Sequence, residues 1–577
     1  MNGNTVEKRP RRRRRWIFFV VFAVAVLVFF TILMRGPQVK PGTVVVLDLD
    51  QDVPERSAED LIHFLGAPEV DLVALTYAME RAAMDERVDG ILLRIGSTNP
   101  GAGKVEEIRG ILEVFRRSGK FVVAYASGPD TLGYLLATAA DEIILDPSTT
   151  LDAVGIQVKA FFLKDLFKEL GVEADLVRVG EFKGDFEQLT LSAPTPEFES
   201  SMDALVDSLY QTILDGIAGA RNLSTTSVRE LLDRCPMLPD EAVAEKLVDR
   251  VLRGQDVKGR IDQRAARSVE LMPIEDYVQA VGEPTRSDRH IAVIHVLGAI
   301  HDGDSRDLPL IGFSTGGDTV AHAIKESAKD PSVAGILLRI DSPGGTVTGS
   351  QKIFHAVDAA KKQKPVVASM GNIAASGGYY AACDADHIFA QRSTLTGSIG
   401  IYGGKIVVEA LMERFHLESR SYSRGKRATM YDPTRRFTPE EQLTLKDVLE
   451  NYYRRFVADV AAGRKKGFEE IQAVAQGRVW TGKSALEEGL VDSLGGLSDA
   501  AEALRRLTRV QEPLPLRVYP PKAGFLDIFR RSKRQDLVRL GASTPALYRE
   551  VQECLEGSGL LRPFTGLALL PFALDIR

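Results

Sequence analysis

The sequence predicts an α/β protein built as a tandem duplication of one βα unit and preceded by one transmembrane helix. Three observations support this fold class. The stretch VDGILLRI at 88–95 returns as VAGILLRI at 333–340. In each copy, short apolar runs alternate with amphipathic helical patterns, which is typical of parallel strands joined by crossover helices. Ahead of both copies, residues 16–34 contain no charged side chain.

The chain starts with a basic cytoplasmic head, residues 1–15, which carries six arginines and Lys8 against Glu7. The uncharged segment 16–34 is long enough to cross about 30 Å of hydrocarbon as a helix. No small-residue cleavage pattern follows it, so we expect a retained transmembrane anchor and not a signal peptide. Since basic residues stay in the cytoplasm, the sequence predicts a single-pass protein of the inner membrane with an extracytoplasmic, periplasmic body. The alternative, a buried core helix, rarely follows five consecutive arginines.

Self-similarity also sets the predicted domain boundaries. The segment EAVAEKLVDRV in the first half resembles SALEEGLVDSL in the second. Between the halves, Pro273, Gly282 and Pro284 are typical of a linker. The predicted order after the anchor is a first repeat at 44–257, a linker at 258–289, a second repeat at 290–503 and a docked C-terminal appendage at 504–577.

Composition excludes some functions. The net charge of −6 includes the basic head, so the body is acidic, which argues against nucleic-acid binding. The three cysteines, Cys235, Cys383 and Cys554, form neither a disulfide framework nor a metal-binding spacing. We therefore expect no metal and no cofactor.

Two glycine-rich turns in the second half predict a nucleophile and its oxyanion hole. One strand runs into Asp-Ser-Pro-Gly344-Gly345, and the next runs towards Ser376 and Gly377 at the start of a helix. Backbone N–H groups of such glycines can approach a developing negative charge closely. Each motif alone has a structural explanation, because serine is a common N-cap and Pro-Gly-Gly a common turn. Their position at successive strand ends favours function.

A serine nucleophile needs a base, and no histidine lies in a suitable loop. Lys183 lies among apolar residues in VRVGEFKGDFEQ, and a buried lysine can act as a base if its pKa falls towards 7 or 8. By spacing alone, a surface lysine is the simpler interpretation. The repeat comparison favours function, because Ser376 aligns with Thr131 and Lys183 aligns with Ala428. Each half keeps what the other lacks, so we predict one composite site, within a chain or between chains.

Several stretches resemble one known family. DSPGG, AASGGYY, STLTGSIGIYG and GRVWTGKSALEEGLVDSLGG, with VRVGEFKGDFE, are similar to signal peptide peptidase A in its long, two-repeat form, over about residues 16–505. The resemblance implies a fold like that of crotonases and of the caseinolytic protease, and a homotetrameric bowl. It implies a Ser–Lys dyad of Ser376 and Lys183, with Ser398 orienting the lysine. It also places the oxyanion hole at Gly344, Gly345 and Gly377.

These expectations together predict a membrane-anchored serine endopeptidase that degrades cleaved signal peptides and other apolar peptides. Two other classes remain open. A crotonase-like acyl-CoA enzyme would share the fold but needs a carboxylate base and an adenine pocket. A non-catalytic membrane scaffold would use the repeats to assemble a ring. Covalent labelling of Ser376 separates the peptidase from both.

Overall fold

The part of the chain described by the computed structural model begins after the predicted anchor. It comprises residues 36–49, 52–57, 69–96, 100–282, 287–308, 312–510, 514–520, 564–568 and 574–575. The basic head and the segment 16–34 lie outside it, so the transmembrane helix stays a prediction. Within the described ranges, no helix combines the length and apolarity needed to cross a membrane.

The strands follow the predicted α/β rhythm. They are β1 Thr43–Asp48, β2 Val88–Ile95, β3 Phe121–Ala126, β4 Glu142–Leu145, β5 Gln157–Val158, β6 Glu173–Val179, β7 Arg250–Val251, β8 Glu270–Pro273, β9 His290–Leu297, β10 Ile300–His301, β11 Arg306–Leu308, β12 Gly312–Gly316, β13 Val333–Ser342, β14 Gly345–Thr346, β15 Val366–Ala375, β16 His387–Ala390, β17 Leu395–Gly397, β18 Ile401–Val407, β19 Val479–Thr481, β20 Ser493–Leu494, β21 Leu516–Tyr519, β22 Phe564–Ala568 and β23 Leu574–Asp575.

Helices alternate with these strands in both halves. They are α1 Leu72–Met84, α2 Ala102–Arg117, α3 Thr131–Ala137, α4 Lys164–Leu170, α5 Gly184–Thr190, α6 Pro196–Arg221, α7 Thr225–Leu232, α8 Pro239–Ala244, α9 Gly254–Ala265, α10 Ile274–Val281, α11 Gly317–Lys329, α12 Val347–Lys361, α13 Gly377–Ala382, α14 Glu409–Arg414, α15 Pro439–Arg464, α16 Phe468–Val474, α17 Gly482–Glu487 and α18 Leu497–Thr508.

Two sheets with the same strand order confirm the predicted α/β duplication. The first sheet has the order β7-β4-β3-β2-β1-β8. The second contains the path β20-β16-β15-β13-β9-β21. The paired central strands β2–β3 and β13–β15 run parallel. Crossover helices cover these strands, because strands such as β9 and β13 are apolar along nearly their whole length and need protein on both faces.

The stretch 258–289 is more structured than the linker we predicted. Strand β8 pairs in parallel with β1 and closes one edge of the first sheet. Helix α10, which follows β8, buries Ile274 and Tyr277 against the first core. Pro273 at the end of β8 was our linker signal, but proline is tolerated on an edge strand.

The start of the predicted appendage also belongs to a repeat. Strand β21 at 516–519 pairs in parallel with β9, as β8 pairs with β1 in the first half. Further along, β22 and β23 pair with strands of the body. The predicted appendage therefore contributes strands to three separate sheets.

A buried ion cluster holds the two repeats together. Arg339 of β13 is fully buried and donates to Glu55 at 2.8 Å and to Glu107 at 2.7 Å, both of the first repeat. Its third polar contact is the Ser369 hydroxyl at 2.9 Å. Because a buried guanidinium is tolerated only when its donors are satisfied, this cluster fixes one relative placement of the halves.

A third sheet mixes strands from both repeats and from the C-terminus. Its order is β11-β12-β10-β14-β22-β18-β6. Strand β6 of the first repeat runs antiparallel to β18 of the second, with Ile401 opposite Val179. This pairing brings the lysine-bearing segment of the first repeat to the serine-bearing half.

Candidate active site

Ser376 lies in a sharp turn between β15 and α13. Its backbone φ is 54° and ψ is −113°, a region that non-glycine residues rarely adopt and that costs about 1–3 kcal/mol. Its N–H donates to the Gly397 carbonyl at 2.7 Å, which holds the turn from the side of β17. The side chain is fully buried in this chain. Strain held by surrounding structure is common at functional positions.

The predicted oxyanion glycines come together beside this turn. A Cβ placed on Gly377 would lie 3.1 Å from the Gly345 nitrogen and 3.2 Å from Gly344 Cα. Gly344 has a φ of 106°, which an L side chain rarely adopts. Both turns therefore need glycine, and their close approach puts backbone N–H groups next to Ser376. This arrangement suits a developing oxyanion.

Lys183 reaches Ser376 from the first repeat within a single chain. Its Nζ lies 3.0 Å from Ser376 Oγ and 2.9 Å from Ser398 Oγ. The lysine side chain is fully buried, and burial disfavours the charged form of an amine. Glu181, the acidic residue two positions before the lysine, is exposed. The hydroxyl and the amine thus meet at hydrogen-bond distance, which is the geometry that a nucleophile and its general base require.

Ser398 completes the contact between the halves. It follows β17, has a φ of 51° and is fully buried. Its backbone carbonyl also accepts from the Lys183 amine at 3.4 Å. Two contacts from one residue restrict where the amine can point, so the structure brings the predicted lysine-orienting serine to the lysine.

Residues 476–478 hold both sides of this site, although their sequence pattern predicted no such role. The Gln476 carbonyl accepts from Phe182 N–H at 2.8 Å, and the Arg478 carbonyl accepts from Ser398 N–H at 2.7 Å. A Cβ on Gly477 would lie 2.7 Å from the Lys183 nitrogen. The Arg478 guanidinium also lies 5.4 Å from the Phe182 ring. The sequence signal that could have pointed to these residues is GRVWTG, which is part of a stretch that carries the family resemblance.

None of the histidines that the structure describes takes part in this constellation. His387 Nε2 contacts Ser493 Oγ at 2.9 Å on β16, and His355 lies on α12 next to Arg455. Cys235 and Cys383 are free, whereas Cys554 lies outside the described residues. Among the residues that the structure describes, no group of three or more His, Cys, Asp or Glu side chains is arranged to hold a metal ion.

Comparisons with known proteins show which family this chain resembles. Peptidase family S49 matches residues 114–268 and 358–511. The serine protease SPPA, chloroplastic, of Arabidopsis thaliana is 30% identical over 506 residues, which cover 86% of this chain and 73% of the relative. Protease 4 of Salmonella typhi is 32% identical over 457 residues, which cover 77% of this chain and 73% of the relative. A solved ClpP1 mutant from Listeria monocytogenes covers 36% of this chain and 93% of its own, at 12% identity and a TM-score of 0.23.

The protein is a serine peptidase, a class that fits a strained, buried hydroxyl beside an amine and a glycine-lined turn. Within that class, the chain belongs to peptidase family S49, and the family domain is present in two repeats. The resemblance predicted from the sequence is confirmed.

Proposed function

We propose that Ser376 and Lys183 form the catalytic dyad of a membrane-anchored endopeptidase that degrades apolar peptides. One observation carries the proposal. The amine of the first repeat and the hydroxyl of the second lie 3.0 Å apart, both fully buried, in a chain of family S49.

The proposed reaction has two stages. Neutral Lys183 takes the Ser376 hydroxyl proton while Ser376 Oγ attacks the peptide carbonyl carbon. Backbone N–H groups at Gly345 and Gly377 stabilise the oxyanion, and one such donor is worth about 3–4 kcal/mol. The lysine then protonates the leaving amine, and an acyl-enzyme ester remains. In the second stage Lys183 deprotonates water, water attacks the ester, and the proton returns to Ser376.

The proposed setting follows from the N-terminal sequence. Residues 16–34 would anchor the chain in the inner membrane as a single pass, with the N-terminus cytoplasmic and the catalytic body periplasmic. An anchored peptidase stays close to signal peptide remnants and other apolar segments released into the bilayer. We further propose a homotetramer whose assembly limits access to the site, as the family resemblance implies.

Substitution of Lys183 tests the dyad. Lys183→Met keeps the length and apolar character of the side chain but removes the base, so we expect kcat/KM for a fluorogenic peptide to fall by at least 10³-fold. The matched control is Lys405→Met, since Lys405 is also buried but donates to the carbonyls of Met430 and Asp432. That variant should lose stability and keep its activity per folded molecule. Full activity of Lys183→Met would rule out the dyad.

Labelling by a fluorophosphonate separates the proposed peptidase from its rivals. The probe should modify Ser376 and leave Ser376→Ala unlabelled, as shown by mass spectrometry of the digested protein. An acyl-CoA enzyme with a carboxylate base, or a non-catalytic scaffold, has no activated serine at this position. Absence of labelling in the intact chain would therefore argue against this proposal.

A further inference from the structure

Strand β15 has a bulge shortly before it reaches the proposed nucleophile. In its pairing with β13, Met370 is opposite Ile340. The next paired residue, Ala374, is opposite Ser342, so three residues of β15 stand against one residue of β13. Before the bulge β15 also pairs with β16, and from Ile373 onwards it pairs with β17. The bulge therefore sets the course of the last residues of β15 into the serine turn.

The second repeat holds both ends of this bulge. Asp341, the single residue of β13 at this point, accepts from the Ile373 N–H at 2.9 Å. The Thr394 hydroxyl donates to the Gly371 carbonyl at 2.7 Å. The middle residue of the bulge, Asn372, instead has its side-chain partners in the first repeat.

Asn372 holds the start of helix α2. Its Oδ1 accepts from the Lys104 N–H at 2.9 Å, and its Nδ2 donates to the Pro100 carbonyl at 2.9 Å. Lys104 is the third residue of α2, so its N–H has no acceptor within the helix. The N-cap of α2 is Gly101, which has no side chain to bond this N–H. Asn372 thus supplies the cap of this helix from the other repeat.

The equivalent helix of the second repeat is capped by its own N-cap residue. Helix α12 has Thr346 at this position, and Thr346 Oγ1 accepts from the Gly349 N–H at 3.2 Å. Gly101 and Lys104 occupy the equivalent positions in the first repeat. The first repeat therefore lacks a local cap here and uses a contact to the strand that leads to the nucleophile. The fit is close, since a Cβ on Gly101 would lie 2.5 Å from Asn372 Oδ1.

We infer that Asn372 is a positioning residue for Ser376, and that residues 100–104 of the first repeat fix the bulge and thereby the place of the nucleophile. This inference rests on the proposed function, because it adds a residue to the same reaction. Asn372 lies four residues before Ser376 and acts on it through the backbone of β15. A misplacement of about 1 Å can cost about 10²-fold in rate. The first repeat then contributes twice, through Lys183 as base and through the start of α2.

Asn372→Ala is the first test. It removes both hydrogen bonds, so we expect kcat for a fluorogenic peptide to fall about 10–100-fold while KM changes less than twofold. The rate constant for fluorophosphonate labelling of Ser376 should fall with kcat, whereas the fraction finally labelled should stay at the wild-type level. Ser393→Ala is the matched control, since the Ser393 hydroxyl also contacts α2 from the second repeat, through Glu106, but lies outside β15. That variant should keep wild-type kinetics.

The same contact can be broken from the first repeat. Gly101→Ala places a Cβ against the Asn372 amide, so it should lower kcat as Asn372→Ala does. Combining the two changes should lower kcat no further than the larger single effect, because both remove one contact. Gly128→Ala is the control, since Gly128 is also a first-repeat glycine of positive φ but its Cβ would meet only Thr149. That variant should lose stability and keep its kcat per folded molecule.

Three results would overturn the inference. They are an unchanged kcat in Asn372→Ala, additive losses in the double variant, or a labelled fraction that falls at an unchanged labelling rate constant. The last result is that of a merely structural residue, which alters only the amount of folded protein. Failure of the wild-type chain to label at Ser376 would instead count against the peptidase itself, so the two proposals fail separately.

Discussion

Thr131 and Ser376 occupy equivalent positions in the two repeats, and their hydroxyl groups have different partners. Thr131 Oγ1 donates to the Gly155 carbonyl at 2.7 Å and accepts from the Gly155 N–H at 3.0 Å. Ser376 Oγ instead contacts the Lys183 amine. In the first repeat the local backbone satisfies the hydroxyl. In the second repeat the hydroxyl contacts an amine from the other repeat, so this position has a structural role in the first copy and the proposed catalytic role in the second.

The arginines of the repeated motif show the same divergence. Arg94 in VDGILLRI is about half exposed and lies 3.8 Å from Asp48. Arg339 in VAGILLRI is fully buried between Glu55 and Glu107. The local sequence is nearly identical, but the first arginine faces solvent whereas the second faces the other repeat. The same strand motif therefore places its arginine in solvent in the first repeat and in the interface between the repeats in the second.

The largest expected effect comes from the hydroxyl pair. Ser376→Ala removes the proposed nucleophile, and we expect kcat to fall by at least 10³-fold in a peptide-hydrolysis assay. Thr131→Ala removes two hydrogen bonds to the backbone, so it should lower the free energy of unfolding by about 1–3 kcal/mol and leave activity per folded molecule unchanged. Comparable losses of activity in both variants would mean that the two repeats have not divided these roles.

Substitutions of the two equivalent arginines are expected to lower the free energy of unfolding by different amounts. Arg339→Ala leaves two buried carboxylates without their guanidinium, which costs about 3–5 kcal/mol. Arg94→Ala breaks a long contact in solvent and should cost less than about 1 kcal/mol. Denaturant unfolding of both variants measures the difference. Similar midpoints for the two would show that the buried cluster does not hold the halves together.

A smaller effect is expected at Ser398, whose equivalent in the first repeat is Ala153. Ser398→Ala makes the two repeats alike at this position and removes the hydroxyl contact of 2.9 Å to the lysine. We expect kcat/KM to fall about 10–100-fold, as for the loss of a hydrogen bond to a charged or reacting group. Ser393→Ala is the control, because the Ser393 hydroxyl contacts Glu106 away from the dyad. If the kinetics of Ser398→Ala were unchanged, the Ser398 hydroxyl would have no role in positioning the lysine.

The smallest expected effect concerns pH. Removal from water raises the pKa of the Asp341 carboxyl to about 7, and the nearby Glu55 carboxylate adds to the rise; the first repeat has Gly96 at the equivalent position. Between about pH 4 and 7 the folded protein holds a proton that the unfolded chain has lost, so this group makes stability fall as pH rises. Asp341→Asn should reduce that fall, measured by thermal unfolding across the range. An identical pH dependence in the variant would exclude this carboxyl as its source.

Local signals in the sequence were sufficient for the parts of the site that depend on backbone conformation. The turns at Gly344 and Gly345 and at Ser376 were predicted because glycine and small residues follow apolar runs, and these turns do end the parallel strands β13 and β15. Lys183 could be selected only by comparing the repeats and by resemblance. Its local pattern is that of a surface lysine, and its burial comes from contacts made by residues 476–478 and 398.

Two sequence predictions were incomplete because edge strands and very short strands carry weak signals. Proline and glycine at 258–289 are typical of a linker, yet β8 tolerates Pro273 because it lies at the edge of the first sheet. Strand β22 contains Gly566 and has five residues, so nothing in its composition shows which strands it joins. Pairing between distant segments depends on available backbone edges, and these exist only once the body has folded.

By itself, the sequence determined the duplication, the α/β class, the family and the glycine-dependent turns, since each depends on residues near one another in the chain. Only the tertiary structure decided that Lys183 and Ser376 meet within one chain, that Arg339 is buried while Arg94 is not, and that β22 lies between β14 and β18. These contacts join residues up to hundreds of positions apart. They depend on how the two repeats pack and on which sheet edges remain open. The local sequence pattern encodes neither the packing nor the open edges.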